Sequence, residues 1–233
     1  MQSRLAHRRE LLRYAGITGV TLLLPSTVAC VRGGSSTPPA DPEPGDPLAP
    51  SADPEPDGLP LVRPADWDPI SFNRERGRAG AIPPEYMAKI DGPDGVAQHL
   101  GKHLPFLPEG PLAPSGTLAL MWGDPALGYA RHPNAAATAD DPIGHWYDWI
   151  RIRRAFDGPA EERESHFSAW PRGGEEDDGH YAAQRGTDPA DDDGRNTVYL
   201  AVLPSDVQPG EWVRIHAHCL THGEYVDFLR VPA

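Results

Sequence analysis

Cysteine is nearly absent from this chain: 233 residues contain two, Cys30 and Cys219. That excludes a fold stapled by several disulfides and any site built on four thiolates. Long apolar runs are missing too. The run near the start, Tyr14 to Leu24, is about 11 residues, where a membrane span takes roughly 20. Positive charge is scarce. Lys and Arg number 21 against 34 Asp and Glu, for a net charge of −13, which excludes nucleic acid as a natural partner. No internal repeat is visible. No stretch has a convincing helical period beyond Pro84 to Ala88, and methionine does not occur after Met121.

What is present begins with an address. His7-Arg8-Arg9-Glu10-Leu11-Leu12-Arg13 followed by the short apolar run resembles a twin-arginine export signal. Thr27-Val28-Ala29-Cys30 resembles a bacterial lipobox, with Thr27 where leucine is usual, and predicts lipidation of Cys30. The expectation is a signal over 1–29 and a periplasmic or cell-surface protein tethered to the membrane through a lipid anchor. Residues 1–29 carry four arginines against one glutamate, so a chain cut there would carry −16. Lipidation of Cys30 leaves Cys219 without a disulfide partner, and a metal-ligand role accounts for a lone thiol in an exported protein. Twin-arginine export carries folded proteins, so such a site can be filled before export.

Residues 30–66 read as a tether. Ten prolines fall between Pro38 and Pro64 among Asp, Glu, Ser and Gly, a composition that buries too little apolar surface to repay ordering. The remainder, 67–233, has the size of one domain. Short apolar or branched runs at Gly116–Trp122, His145–Arg153, Thr197–Leu203, Glu211–His218 and Tyr225–Val231 are separated by Pro, Gly and Asp turns. They predict an all-β, immunoglobulin-like antiparallel sandwich. In the run ending at Cys219, alternation puts Val213, Ile215, Ala217 and Cys219 on the apolar face. Trp212, Arg214, His216 and His218 fall on the other. An acidic insert spans 157–195; between 157 and 193 it holds twelve Asp or Glu against three Arg. It reads as a long solvated loop containing solvated His166 and His180. Its acidic runs, 175–178 and 191–193, also raise a calcium site, which the solvated reading outweighs.

The chemistry concentrates in His218-Cys219-Leu220-Thr221-His222-Gly223, where a thiol and an imidazole three residues apart can share one soft cation. Upstream, Gly101-Lys102-His103-Leu104-Pro105, His132-Pro133-Asn134 and His145-Trp146-Tyr147-Asp148-Trp149-Ile150 add three more imidazoles. Four histidines and one cysteine exceed what a structural zinc needs. His99, four residues before His103, competes with it for the first position, and the Lys102-His103-Leu104-Pro105 context favours His103.

In their order along the chain these elements resemble the iron domain of the superoxide reductases, the desulfoferrodoxin and neelaredoxin family. The likeness covers about residues 99–230. It implies one mononuclear non-haem iron, Fe(2+)/Fe(3+), bound by His103, His132, His145, His222 and Cys219, with Lys102 drawing in the superoxide anion. It further implies a blue colour on oxidation, a dimer or homotetramer, and an electron donor such as a rubredoxin-like or other small redox protein. It places Trp149 beside the iron, although Trp149 and Trp146 also read as core residues. The family's separate four-cysteine domain is excluded by composition.

Several positions depart from the family pattern. Gly101 stands where a glutamate can cap the sixth position, Leu220 replaces an asparagine, and the stretch between His132 and His145 is longer. Two other readings fit the same residues. One is a cupredoxin-like copper electron carrier, also an exported β-sandwich with histidine and cysteine ligands. The other is a non-catalytic metal-binding lipoprotein.

Overall fold

A computed structural model describes residues 58–109 and 113–233. The expected signal, the Cys30 lipidation site and the tether as far as residue 57 lie outside the described residues. Among the described residues eight strands form two antiparallel sheets of four. Sheet one comprises β1 (Pro105–Phe106), β2 (Thr117–Trp122), β6 (Thr197–Val202) and β5 (His180–Ala183), in the order β1-β2-β6-β5. Sheet two runs β4 (Glu162–His166), β3 (Tyr147–Arg154), β7 (Trp212–Cys219) and β8 (Gly223–Arg230). Inward residues of both sheets share one core: Leu118, Leu120, Tyr199 and Ala201 from sheet one, and Ile150, Ile152, Val213 and Ile215 from sheet two. This is the expected all-β sandwich, its layers joined by interdigitating branched and aromatic side chains. Among the described residues no helix is long and apolar enough to cross a membrane.

The alternation expected in β7 holds. Val213, Ile215, Ala217 and Cys219 belong to the core, while His216 bonds Glu224 and His218 bonds Asp148 on the outer face. His216 is nevertheless buried, because Glu224 and Arg76 close over it.

Three expectations need correction. The insert at 157–195 is not a free loop: β4 and β5 lie within it, one at an edge of each sheet. Its charges hid the strands, yet they pair specifically. Arg151 and Arg214 of sheet two bind Glu164 and Glu162 of β4. Second, the tether ends earlier than residue 66. Leu59 is buried, and the carbonyls of Pro60 and Leu61 accept from Arg214 and Arg153. Third, a helix precedes the one at Pro84. It is α1 (Pro69–Arg76), begun by Asp68, whose carboxylate accepts from the Ile70 N–H and the Ser71 hydroxyl. Its one buried residue, Asn73, clasps both the N–H and the carbonyl of Val226, each at 2.7 Å. That amide stands in for a further strand along the edge of β8. The anticipated second helix is α2 (Pro84–Ile90), which buries Tyr86, Met87 and Ile90.

Candidate metal centre

Four chain segments deliver five donors to one end of the sandwich. A helical turn at Gly101–His103 presents His103. The turn leaving β2 presents His132, whose N–H bonds the Trp122 carbonyl. His145 sits just before β3. The hairpin of β7 and β8 supplies both Cys219, which ends β7, and His222, which precedes β8. Strand β8 begins at Gly223, at φ +82, where a Cβ would lie 2.2 Å from the Ala81 carbonyl oxygen. Glycine is required there by conformation and by space alike. Leu220 N–H to the Trp146 carbonyl (3.1 Å) and the Thr221 hydroxyl to the Gly144 carbonyl (2.7 Å) fasten the same loop to the His145 segment.

One donor atom from each of His103, His132, His145, Cys219 and His222 lies within 4.8 Å of every other. Nδ1 of His222 is 3.1 Å from Nε2 of His103 and 3.0 Å from Nε2 of His145. The Cys219 sulfur is 3.7 Å from both His132 Nε2 and His222 Nδ1. The rings make a closed circuit. Neighbouring centroids, in the order His103, His132, His145, His222, are 4.9, 4.3, 4.6 and 4.9 Å apart. His103 and His145 are 6.5 Å apart across the circuit. Four imidazoles thus ring one small space, and the thiol reaches it between His132 and His222.

These residues fit a bound cation. With metal–nitrogen bonds of about 2.1 Å, neighbouring ligands are about 3.0 Å apart in an octahedral or square-based site and about 3.4 Å in a tetrahedral one. The 3.0 and 3.1 Å nitrogen edges and the 3.7 Å sulfur edges are all short enough to span one ion, and five donors are one more than a tetrahedral site takes. The donors are also in the right protonation state, save one. Burial and mutual repulsion hold His103 and His132 well below the ordinary imidazole range. Burial likewise brings His145 down to about 4 and His222 to about 2. All four therefore offer lone pairs at neutral pH. Burial pushes the Cys219 thiol up to about 12, against the opposing pull of the Thr221 and His222 backbone N–H groups and of Lys102. Only a cation in the cluster makes it a thiolate at neutral pH.

The competition between the first two histidines is settled by geometry. His103 enters the cluster, and the His99 carbonyl accepts from its Nδ1–H at 2.7 Å, leaving Nε2 to face the other donors. Lys102 is half-buried. Burial lowers its pKa, and negative charge on Cys219, once ionised, opposes the shift. Its ammonium lies 5.5 Å from the Tyr86 ring, which in turn stacks on His222 at 3.7 Å. Tyr225 stacks on His103 at 4.4 Å, with planes 9° apart. Neither tyrosine stood out in the sequence; the one signal was Tyr86's place on the anticipated second helix. Trp149 is not beside the donors. It stacks with His218 on the outer face, and Tyr147 takes the place next to His132, at 4.9 Å. Trp146 is buried, as a core residue, and bonds the Phe167 carbonyl.

Gly101 has a steric reason: a Cβ there would lie 2.3 Å from the Tyr129 ring, so a longer side chain requires that ring to move. The long excursion from His132 to His145 is closed at its neck. Ala135 and His145 exchange two backbone hydrogen bonds of 2.9 and 2.8 Å, so the added residues bulge outward without separating the ligands. The acidic runs of the insert form no such convergence; among the described residues the His/Cys cluster is the one group arranged to hold a metal. His166 and His180 are exposed, as expected.

Comparison with family models, with curated proteins and with solved structures finds no match to this chain.

Proposed function

We propose that this protein reduces superoxide to hydrogen peroxide at a single non-haem iron held by His103, His132, His145, His222 and Cys219. What supports this is the convergence of four neutral imidazoles and one sulfur, with one donor atom from each within 4.8 Å of every other. When bound there, iron supplies one electron to superoxide, which with two protons gives hydrogen peroxide. Neutral imidazoles suit the ferrous state, and an anionic thiolate favours the ferric product.

The chain's own residues support the remaining requirements. Cys219, His103 and His132 are buried, whereas His145 and His222 reach partial exposure. A small anion can therefore approach from the His145–His222 side, and water can deliver protons there. Lys102, half-buried near the donors, offers positive charge in an otherwise acidic protein, drawing an anion inward and stabilising peroxide charge. Lys102 is the cation whose charge acts on all four imidazoles and on Cys219. The copper-carrier reading is weaker: five donors converge here, and the Met121 sulfur is engaged by Arg131 at 3.2 Å.

The test is superoxide consumption by iron-loaded protein with an artificial reductant. The reading expects one peroxide formed per superoxide consumed and no oxygen release. Oxygen release at half the superoxide consumed would indicate dismutation, and no consumption would leave a metal-binding role alone. Lys102→Ala should slow the second-order rate by about 10-fold or more, with weaker salt dependence.

A further inference from the structure

His132 is a buried ligand whose second ring nitrogen is not held by a hydrogen bond. Histidines that bind metals usually donate their second ring nitrogen to a carbonyl or carboxylate, which fixes the ring. His103 does so through His99. Nδ1 of His132 is buried and has no hydrogen-bond partner. Its orientation must come from elsewhere, and the turn that carries it is held unusually well. Asn134 is buried, 5% exposed. Its Nδ2 donates to the Gly194 carbonyl at 2.7 Å, and its Oδ1 accepts from the Tyr199 hydroxyl at 2.6 Å.

The partner segment is shaped to meet it. Gly194, at φ +72, approaches so closely that a Cβ would lie 2.2 Å from the Asn134 carbonyl oxygen and 2.7 Å from its nitrogen. Two residues before it, Asp192 and Asp193, have φ of 55° and 51°, a left-handed conformation that non-glycine residues rarely adopt in succession. A second tie runs beside the first: Nη2 of Arg131 donates to the Arg195 carbonyl at 2.8 Å. The paired backbone bonds of Ala135 and His145 extend the restraint to the next ligand.

We infer that Asn134 is a positioning residue through which the acidic insert, at Gly194, braces the turn that presents His132 to the metal. The insert is then part of the metal site's support, and its strained 192–194 corner serves that contact. This rests on the reading that the five donors hold one ion and is independent of the reaction performed there.

The experiment uses full-length protein loaded anaerobically with cobalt(II), whose affinity is read by competition with a chromophoric chelator and whose visible spectrum reports ligand geometry. Asn134→Ala is expected to weaken cobalt binding by about 10- to 100-fold and to alter the spectrum. Gly194→Ala should act in the same direction. Asn134→Asp keeps the acceptor for Tyr199 but loses the donor to Gly194, and should fall between. Ile152→Val, a core change remote from the turn, lowers the melting temperature yet should leave affinity and spectrum alone. Should Asn134→Ala fail to fold, Gly194→Ala and Asn134→Asp decide the matter. Wild-type binding with Asn134→Ala and Gly194→Ala both within about twofold of it and spectrally unchanged overturns the brace. A wild-type protein that binds no cobalt overturns the brace and the five-donor reading together.

Discussion

The sulfur of Cys219 lies 3.7 Å from Nδ1 of His222, three residues further on, so one tight loop supplies two of five donors. His218, closer still in sequence, points to the opposite face and bonds Asp148 at 2.6 Å. The strand's alternation alone separates them. His222→Ala should therefore cost about 100-fold or more in metal affinity, because it removes the nitrogen shared by His103 and His145. His218→Ala should stay within about threefold of wild type. Chelator competition measures both; equal losses for the two variants would contradict the assignment.

Metal uptake should release one proton. The four imidazoles are already neutral at pH 7, whereas the thiol, pushed up to about 12, surrenders its proton only to the ion. Log affinity should then rise by about one unit per pH unit between roughly pH 7 and 9. Cys219→Ala should flatten that slope as well as weaken binding. Proton release measured in lightly buffered solution checks the count, and two protons per ion would mean that a histidine starts charged.

Stability should depend on pH through Asp227. Burial raises its carboxyl from 3.8 to about 6, even though Trp67 Nε1–H donates to it at 2.7 Å. The folded state holds this proton more tightly than the unfolded chain does. Its contribution is full below about pH 4 and lost as pH rises through about 6. Asp227→Asn keeps an oxygen for Trp67 and cannot ionise. It should be stabilising at pH 8 by up to about 3 kcal/mol and near neutral at pH 4. Urea unfolding at the two pH values tests this; equal effects at both would reject it.

Glu162 should matter for stability despite lying in the acidic insert. It accepts from Arg214 at 2.6 Å, and the Arg214 side chain is 1% exposed. Removing one partner leaves a buried charge with less compensation, so Glu162→Ala should cost about 2–3 kcal/mol, discounted for the partial exposure of the glutamate. A loss below about 0.5 kcal/mol in denaturant unfolding would return the segment to the status of a solvated loop.

The five donors and the main strands were legible because short-range patterns encode them. Period-two alternation placed Cys219 inward and His216 and His218 outward, and the Lys102-His103-Leu104-Pro105 element favoured His103 over His99. What escaped was carried by polar contacts between distant segments. Helix α1 has no apolar stripe; Asn73 holds it by reaching across 153 residues to Val226. Strands β4 and β5 are written in charged and small residues that pair only once their neighbours exist. Trp149 was misplaced because a register shift between Tyr147 and Trp149 leaves Tyr147, not Trp149, facing the donors. Tyr86 and Tyr225 came to the site through packing that no spacing rule describes.

Iron uptake, read together with the visible spectrum of the oxidised protein, tests most directly whether five side chains share one ion. About one iron per chain is expected, with an intense visible thiolate-to-iron band that is absent from a folded Cys219→Ser variant. An iron-loaded protein without that band, or one whose band survives the Cys219 substitution, would contradict the five-donor reading.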